Sequence, residues 1–268
     1  MPADMLEIAA KYGLRLSAFE AFAALQGGWL SGFLARSAPY FRDRMMADKM
    51  FLFKVGVEVL IDSGCATVAE VRKRGEDFWS EFEFYMSDLL VGLVMDVVLV
   101  SLMTPTAVLG GGSRAAMSTS WLQKQLAKVP SAVFEASVPG MKQYTVGNRL
   151  ACLMVKFGEY SLAGISCGLV GQGIANSLMN LKRSIHGKSE DDVAVPPLFK
   201  SALVWGLFMG VSSNLRYQAV FGLERIVDMT IARQVPQIAY GTTVGIRFMN
   251  NIIGGENFID MARWAGVQ

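Results

Sequence analysis

The residues able to do chemistry are few, and most are charges set in apolar surroundings. Asp96 sits near the middle of an apolar run, and Asp88 precedes it by two helical turns. Arg247 and Arg216 are lone cations in two further apolar runs, with Asn250 and Asn214 as polar neighbours. Carboxylates in such places suit a cation, a proton or the cationic group of a substrate. An arginine suits a carboxylate, which its planar fork binds through two parallel hydrogen bonds. The same four charges also suit a purely structural role, in which an aspartate and an arginine pair to hold two helices together. Depth along the runs makes Arg247 the natural partner of Asp96. Both readings stay open on these residues.

Catalytic patterns are missing. The chain has no G-x-S-x-G, P-loop, H-E-x-x-H or C-x-x-C. Its single histidine, His186, lies in a polar stretch, and Cys65, Cys152 and Cys167 have no metal-ligand spacing. No metal, no cofactor and no enzymatic activity are expected.

These residues need elements to position them, and composition says which. The 268 residues are 52% hydrophobic and 18% charged, with a mean hydropathy of +0.35. Soluble domains carry roughly 25% charged residues, so a bilayer is the expected surrounding. A net charge of +2 makes no basic field for nucleic acid. Four runs are long enough for a membrane span, which needs roughly 20 residues to cross hydrocarbon. They cover about 85–109, 160–181, 201–223 and 234–255. The second holds no charge at all; Arg216 and Arg247 interrupt the third and fourth. Gly164/Gly168, Gly206/Gly210 and Gly241/Gly245 each form a G-x-x-x-G face, which lets membrane helices approach closely.

The expected fold is therefore an all-α integral membrane protein with about four transmembrane helices and additional amphipathic or interfacial helices. Residues 1–44 read as an N-terminal amphipathic extension and 45–268 as the membrane domain. Residues 4–36 and 113–128 suit helices lying on a bilayer surface. Lys54, Glu58 and Asp62 recur every four residues, as on one polar face of a helix. Thr67 to Glu70 fits a capping box, which predicts a helix starting near Val68. Glu224 is expected at headgroup level, and residues 182–196 as a solvated loop. Asp4, Glu7 and Glu20 argue against a removable signal at the N-terminus.

Five stretches carry a resemblance. They are ADKMFLFKVGVEVLIDSGCAT (47–67), SDLLVGLVMDVVLVSLMTP (87–105), GLVGQGIANSLMN (168–180), GVSSNLRYQAVFGLER (210–225) and VGIRFMNNIIGGENFIDMARWAGVQ (244–268). In these the chain resembles the Reticulata-related proteins of plants and algae, over about residues 45–268. The resemblance implies a multi-pass membrane protein of the chloroplast envelope, of the inner membrane. It also implies transport of metabolites, basic amino acids among them. The family's members begin with a transit peptide, a feature not expected of residues 1–36 here.

Residues and resemblance together predict a carrier for a small charged metabolite such as a basic amino acid. Asp88, Asp96, Asn214, Arg216, Arg247 and Asn250 would line its site. The expected partners are the lipid bilayer, the metabolite, and a second copy or a larger membrane complex. The alternative is a non-transporting structural or assembly subunit of a chloroplast membrane complex, with saturated ion pairs and glycine faces that meet partner helices.

Overall fold

The computed structural model describes residues 1–79, 82–111, 120–138, 142–186, 197–230 and 235–266. Within α5, α6 and α11, the side chains of Lys73, Asp77, Glu83, Phe84, Ser87, Asp88 and Pro236 are outside the described set, with Asp77 in the short 3₁₀ turn after α5. Among the described residues the elements are helical, apart from two isolated bridges, Leu14 to Gly110 and Val138 to Lys142.

The helices are α1 (Ala3–Tyr12), α2 (Leu16–Leu25), α3 (Trp29–Ser37), α4 (Pro39–Ala47), α5 (Phe51–Arg74), α6 (Phe82–Met103), α7 (Trp121–Leu126), α8 (Val146–His186), α9 (Leu198–Phe208), α10 (Asn214–Met229) and α11 (Pro236–Ala265). Local chemistry explains several boundaries. Pro39 and Pro236 sit in the first turns of α4 and α11, where the missing N–H costs nothing. Gly13 and Gly266, at φ of 71° and 61°, end α1 and α11 in backbone that side-chain-bearing residues rarely adopt. Ser120 and Gln123 cap the start of α7 reciprocally. α6 stops at Met103, two residues before Pro105.

The chain forms two compact units. One comprises Met1–Lys54 with Ser101–Met154, the other Val55–Val100 with Val155–Gln268. The first has a core of Met5, Phe22, Ala35, Met45, Phe51, Met103 and Cys152. Its buried cations are tied down. Arg42 donates to Asp4 at 2.6 and 3.0 Å and to Asp43, and Arg44 donates to the carbonyls of Ser101 and Tyr40. Glu135 accepts from Ser131 N–H, Lys142 and Tyr144. The second unit holds the candidate site. Its core includes Val57, Tyr85, Met95, Leu99, Tyr160, Phe208, Tyr217, Val220 and Ala239.

The four-span architecture is not found. Only α8 is long and apolar enough to cross a membrane among the described residues, over Val146–Ile185. The run expected to span 85–109 ends as a helix at Met103. The 201–223 run is divided: α9 has 11 residues and passes through a π-helical turn, Met209–Ser213, into α10, whose sequence is polar. α11 has 30 residues, but Arg247, Glu256, Asp260 and Arg263 dilute its apolar stretch. Uncharged length in sequence did not convert into uninterrupted apolar helix.

Smaller expectations are corrected too. α5 runs unbroken through Val68, because Thr67 donates to Ser63 O and meets Tyr85 Oη rather than capping a new helix. Residues 4–36 form three short helices in place of one. Of 113–128, only the six-residue α7 is seen, and 112–119 lie outside the described residues. Lys182 and Arg183 belong to α8 rather than a loop, and 187–196 lie outside the described residues.

Candidate functional site: a buried charge centre

Arg247 is the focus of the second unit. It lies on α11 and is 3% exposed. Its Nη1 donates to Glu58 Oε2 of α5 at 2.6 Å. Its Nε and Nη2 donate to Glu224 Oε1 and Oε2 of α10, at 2.8 and 3.2 Å. Each guanidinium nitrogen is thus engaged, and three helices meet on one cation. Glu58 is completed by Tyr217 Oη of α10 at 2.7 Å and Asn251 Nδ2 of α11 at 2.9 Å, both donating to Oε1. Neither glutamate is exposed, Glu58 at 0% and Glu224 at 2%.

Helical spacing positions these groups. Arg247 and Asn251 are four residues apart, and Tyr217 and Glu224 seven, so each pair shares a helix face. Burial pulls the Arg247 guanidinium toward neutrality, but the Glu224 and Glu58 carboxylates outweigh it and hold the cation charged. Burial, with Glu58 adding to it, drives the Tyr217 hydroxyl well above the usual phenol range. That tyrosine is a fixed hydrogen-bond donor at any ordinary pH.

Arg216 has different company. It donates to no carboxylate within 4 Å among the described residues; its N–H groups donate to Asn250 O and Oδ1, both at 2.9 Å, to Ser213 Oγ at 3.0 Å and to Ser212 Oγ at 3.3 Å. Phe208 presents its ring 5.5 Å from the guanidinium. Gly254 makes room for it, since a Cβ there would lie 2.6 Å from Nη1. The π-helical turn just before Arg216 turns Ser212 and Ser213 toward it. Burial pushes this guanidinium below the usual arginine range.

Asp96 of α6 is buried, 6% exposed, but it is not the ion-pair partner of Arg247. The glutamates on α5 and α10 have that place. Asn214 is buried at the start of α10, beside Gln218, and Asn250 is spent on Arg216. The side chain of Asp88 lies outside the described residues. Gly164 and Gly168 of α8 meet α9 and the π turn. A Cβ at Gly164 would lie 2.9 Å from Trp205 O, and one at Gly206 2.4 Å from Ile165 Cγ1. Gly210 abuts Ser161 and Phe157. Gly241 and Gly245 differ: a Cβ at either meets nothing within 4 Å, so they form no close helix contact here.

Glu58, Glu224 and Tyr217 are the site residues that the sequence reading missed. Glu224 was expected at headgroup level and is instead deep in the unit. The regular spacing of Lys54, Glu58 and Asp62 was visible, but a polar helix face ordinarily meets solvent. No carboxylate-binding fork is left open on Arg247. Two surface hollows among the described residues, about 350 and 420 Å³, are lined by Ser137, Gln143, Tyr144 and Thr145 and by Met1, Pro2, Phe22, Gln26 and Arg36. Neither includes a residue of the charge centre.

Among the described residues the fold is helical, and Arg247, Glu58, Glu224 and Tyr217 are consumed in a buried ion network. It belongs to the Reticulata-related family. The family described as RETICULATA-like, Protein RETICULATA-related, matches residues 43–223. The whole chain is 53% identical to Protein RETICULATA-RELATED 1, chloroplastic, and 47% identical to Protein RETICULATA, chloroplastic, both of Arabidopsis thaliana. Protein RETICULATA-RELATED 2, chloroplastic, of the same plant is 31% identical over 85% of the chain and 63% of its own length. The chain spans 62% of the length of each of the first two relatives. The first 44 residues are therefore part of the likeness to these two, although the family match begins at residue 43. No solved structure matches the chain.

Proposed function

We propose that this chain is a non-enzymatic, non-transporting structural component of the chloroplast envelope membrane. The observation that carries the reading is the saturation of Arg247 by Glu58 and Glu224. A carrier must exchange its own contacts for those of its substrate. Releasing Arg247 would strand two buried carboxylates, and breaking a buried pair typically costs about 3–5 kcal/mol. The centre is suited to clamping α5, α10 and α11. The chloroplast is supported by the names of the relatives. The membrane is supported by large apolar side chains left on the exterior of the second unit, among them Leu162, Val170 and Ile174 of α8 and Leu215, Leu223 and Ile226 of α10. Large apolar side chains left exposed in such number are suited to a partner or lipid.

A second reading, a carrier for a small cationic metabolite, is favoured by one observation: Asp96 has a buried oxygen with no hydrogen-bond partner. Reconstitution separates the two. The purified chain is incorporated into vesicles, flotation is measured, and uptake of radiolabelled lysine and arginine is followed. The structural reading expects flotation and uptake equal to that of empty vesicles. Uptake that is lost in Asp96→Asn would overturn it in favour of the carrier. Failure to float would overturn the membrane placement.

A further inference from the structure

Asp96 is a buried acid that the ion network does not use. Its Oδ2 is fully covered and makes no hydrogen bond. The groups around it are acidic. Glu58 and Asp62 of α5 are one helical turn apart, so both point to the same side. Glu58 is spent on Arg247, Tyr217 and Asn251. Asp62 is half-buried, with no hydrogen bond or ion pair among the described residues. Gly92, one turn before Asp96 on α6, lets the helix sit against Asp62: a Cβ there would lie 3.4 Å from Asp62 Oδ2.

Among the described residues, the cations nearby do not balance these acids, and the buried Lys156 of α8 pairs with Glu159. α11 supplies Arg247, already saturated; α10 supplies Tyr217, Glu224 and, further off, Arg216; α8 supplies Tyr160, whose hydroxyl donates to Leu99 O. Fully ionised, the carboxyls of Glu58, Asp62, Asp96 and Glu224 would exceed the two guanidiniums by two negative charges. A buried charge without a partner is strongly disfavoured, and neighbouring carboxylates resist ionising together. No described group of three or more His, Cys, Asp or Glu side chains is placed to hold a metal ion.

We propose that Asp96, with Asp62 beside it, is a proton-binding site built into the α5–α6 contact. The bound proton makes Asp96 an O–H donor and removes the excess charge from the core. The site is loaded at neutral pH. Burial first, then Asp62 and Glu58, push the Asp96 carboxyl up to about 9, with Arg247 pulling the other way. Asp62 is raised as well, by burial and by Glu58. Emptying the site puts a charge opposite Asp62 and Glu58, and loosens α6 against α5.

Because the folded state holds this proton more tightly than the unfolded chain does, the site's contribution to stability is complete below the unfolded value near 3.8 and declines as pH rises toward about 9. The test is infrared spectroscopy of the detergent-solubilised full chain between pH 6 and 11 (a range chosen to bracket the titration), with thermal unfolding over the same range. Wild type is expected to show a protonated-carboxyl band at neutral pH that disappears in the alkaline range. Asp96→Asn should remove that band, stay folded and flatten the alkaline loss of stability. Asp62→Asn should keep the band and move its midpoint down. The proposal is overturned if the band is absent at neutral pH, or survives Asp96→Asn. It is equally overturned if sodium or potassium at fixed pH erases the band, for then the site takes a metal cation.

Discussion

Arg247 shows what one buried residue demands of its neighbours. Its charge is matched by two glutamates from different helices, and neither glutamate is solvated. Replacing Arg247 by Met removes the only cation within ion-pair distance of Glu58 among the described residues, and leaves both carboxylates in the core. The expected loss is about 3–5 kcal/mol, read as a fall in the midpoint of thermal unfolding in detergent. The combination Arg247→Met, Glu58→Gln and Glu224→Gln removes all three charges and is expected to recover most of that loss. A triple variant no better than the single would show that the centre contributes shape rather than charge. Asp96→Ala, by contrast, deprives Arg247 of nothing it bonds to.

At the scale of the helix, glycines with the same sequence spacing do different work. Gly206 lies where α9 crosses α8, and a Cβ would meet Ile165 and Ser161 O. Gly206→Ala is expected to cost about 1–3 kcal/mol through overpacking. Gly241 faces open space on α11, so Gly241→Ala should be neutral or stabilise by about 0.5–1 kcal/mol, because a mid-helix glycine wastes backbone entropy. Thermal unfolding of the two variants checks both signs. In the first unit, α1 is held to α4 by the paired bonds between Asp4 and Arg42. The hydrogen bond from Arg42 keeps the Asp4 carboxyl below its usual value of 3.8. That contribution is present above the unfolded value and lost as pH falls through the folded one. Protection factors of the α1 amides, taken relative to intrinsic exchange at each pH, should therefore fall below about pH 4, and Asp4→Asn should lower them in the same way at pH 7.

For the molecule as a whole, the exterior is as informative as the core. Leu162 and Ile174 of α8 are 67% and 41% exposed, and no described contact explains their apolarity. If lipid covers this face, Leu162→Lys with Ile174→Lys should leave the unfolding midpoint in detergent within about 0.5 kcal/mol of wild type. Flotation with vesicles should fall sharply. Unchanged flotation would show that another surface carries the membrane attachment.

The sequence by itself determined the helical class, the family and the fact that Asp96 and Arg247 are unusual. Those follow from composition, local wording and the high cost of charge in apolar surroundings, and all are properties of short stretches. The span count was not of that kind. It failed because hydropathy records how apolar a run is, not whether one helix threads through it. Pro105 ends one run, and the turn at Met209–Ser213 divides another. The partnership of Arg247 was likewise beyond reach. Glu58 lies 189 residues away in sequence, on a face whose charge spacing ordinarily means solvent. Only the packing of α5 between α6, α10 and α11 buries that face, and burial is what turns a common polar pattern into an ion clamp and a proton site.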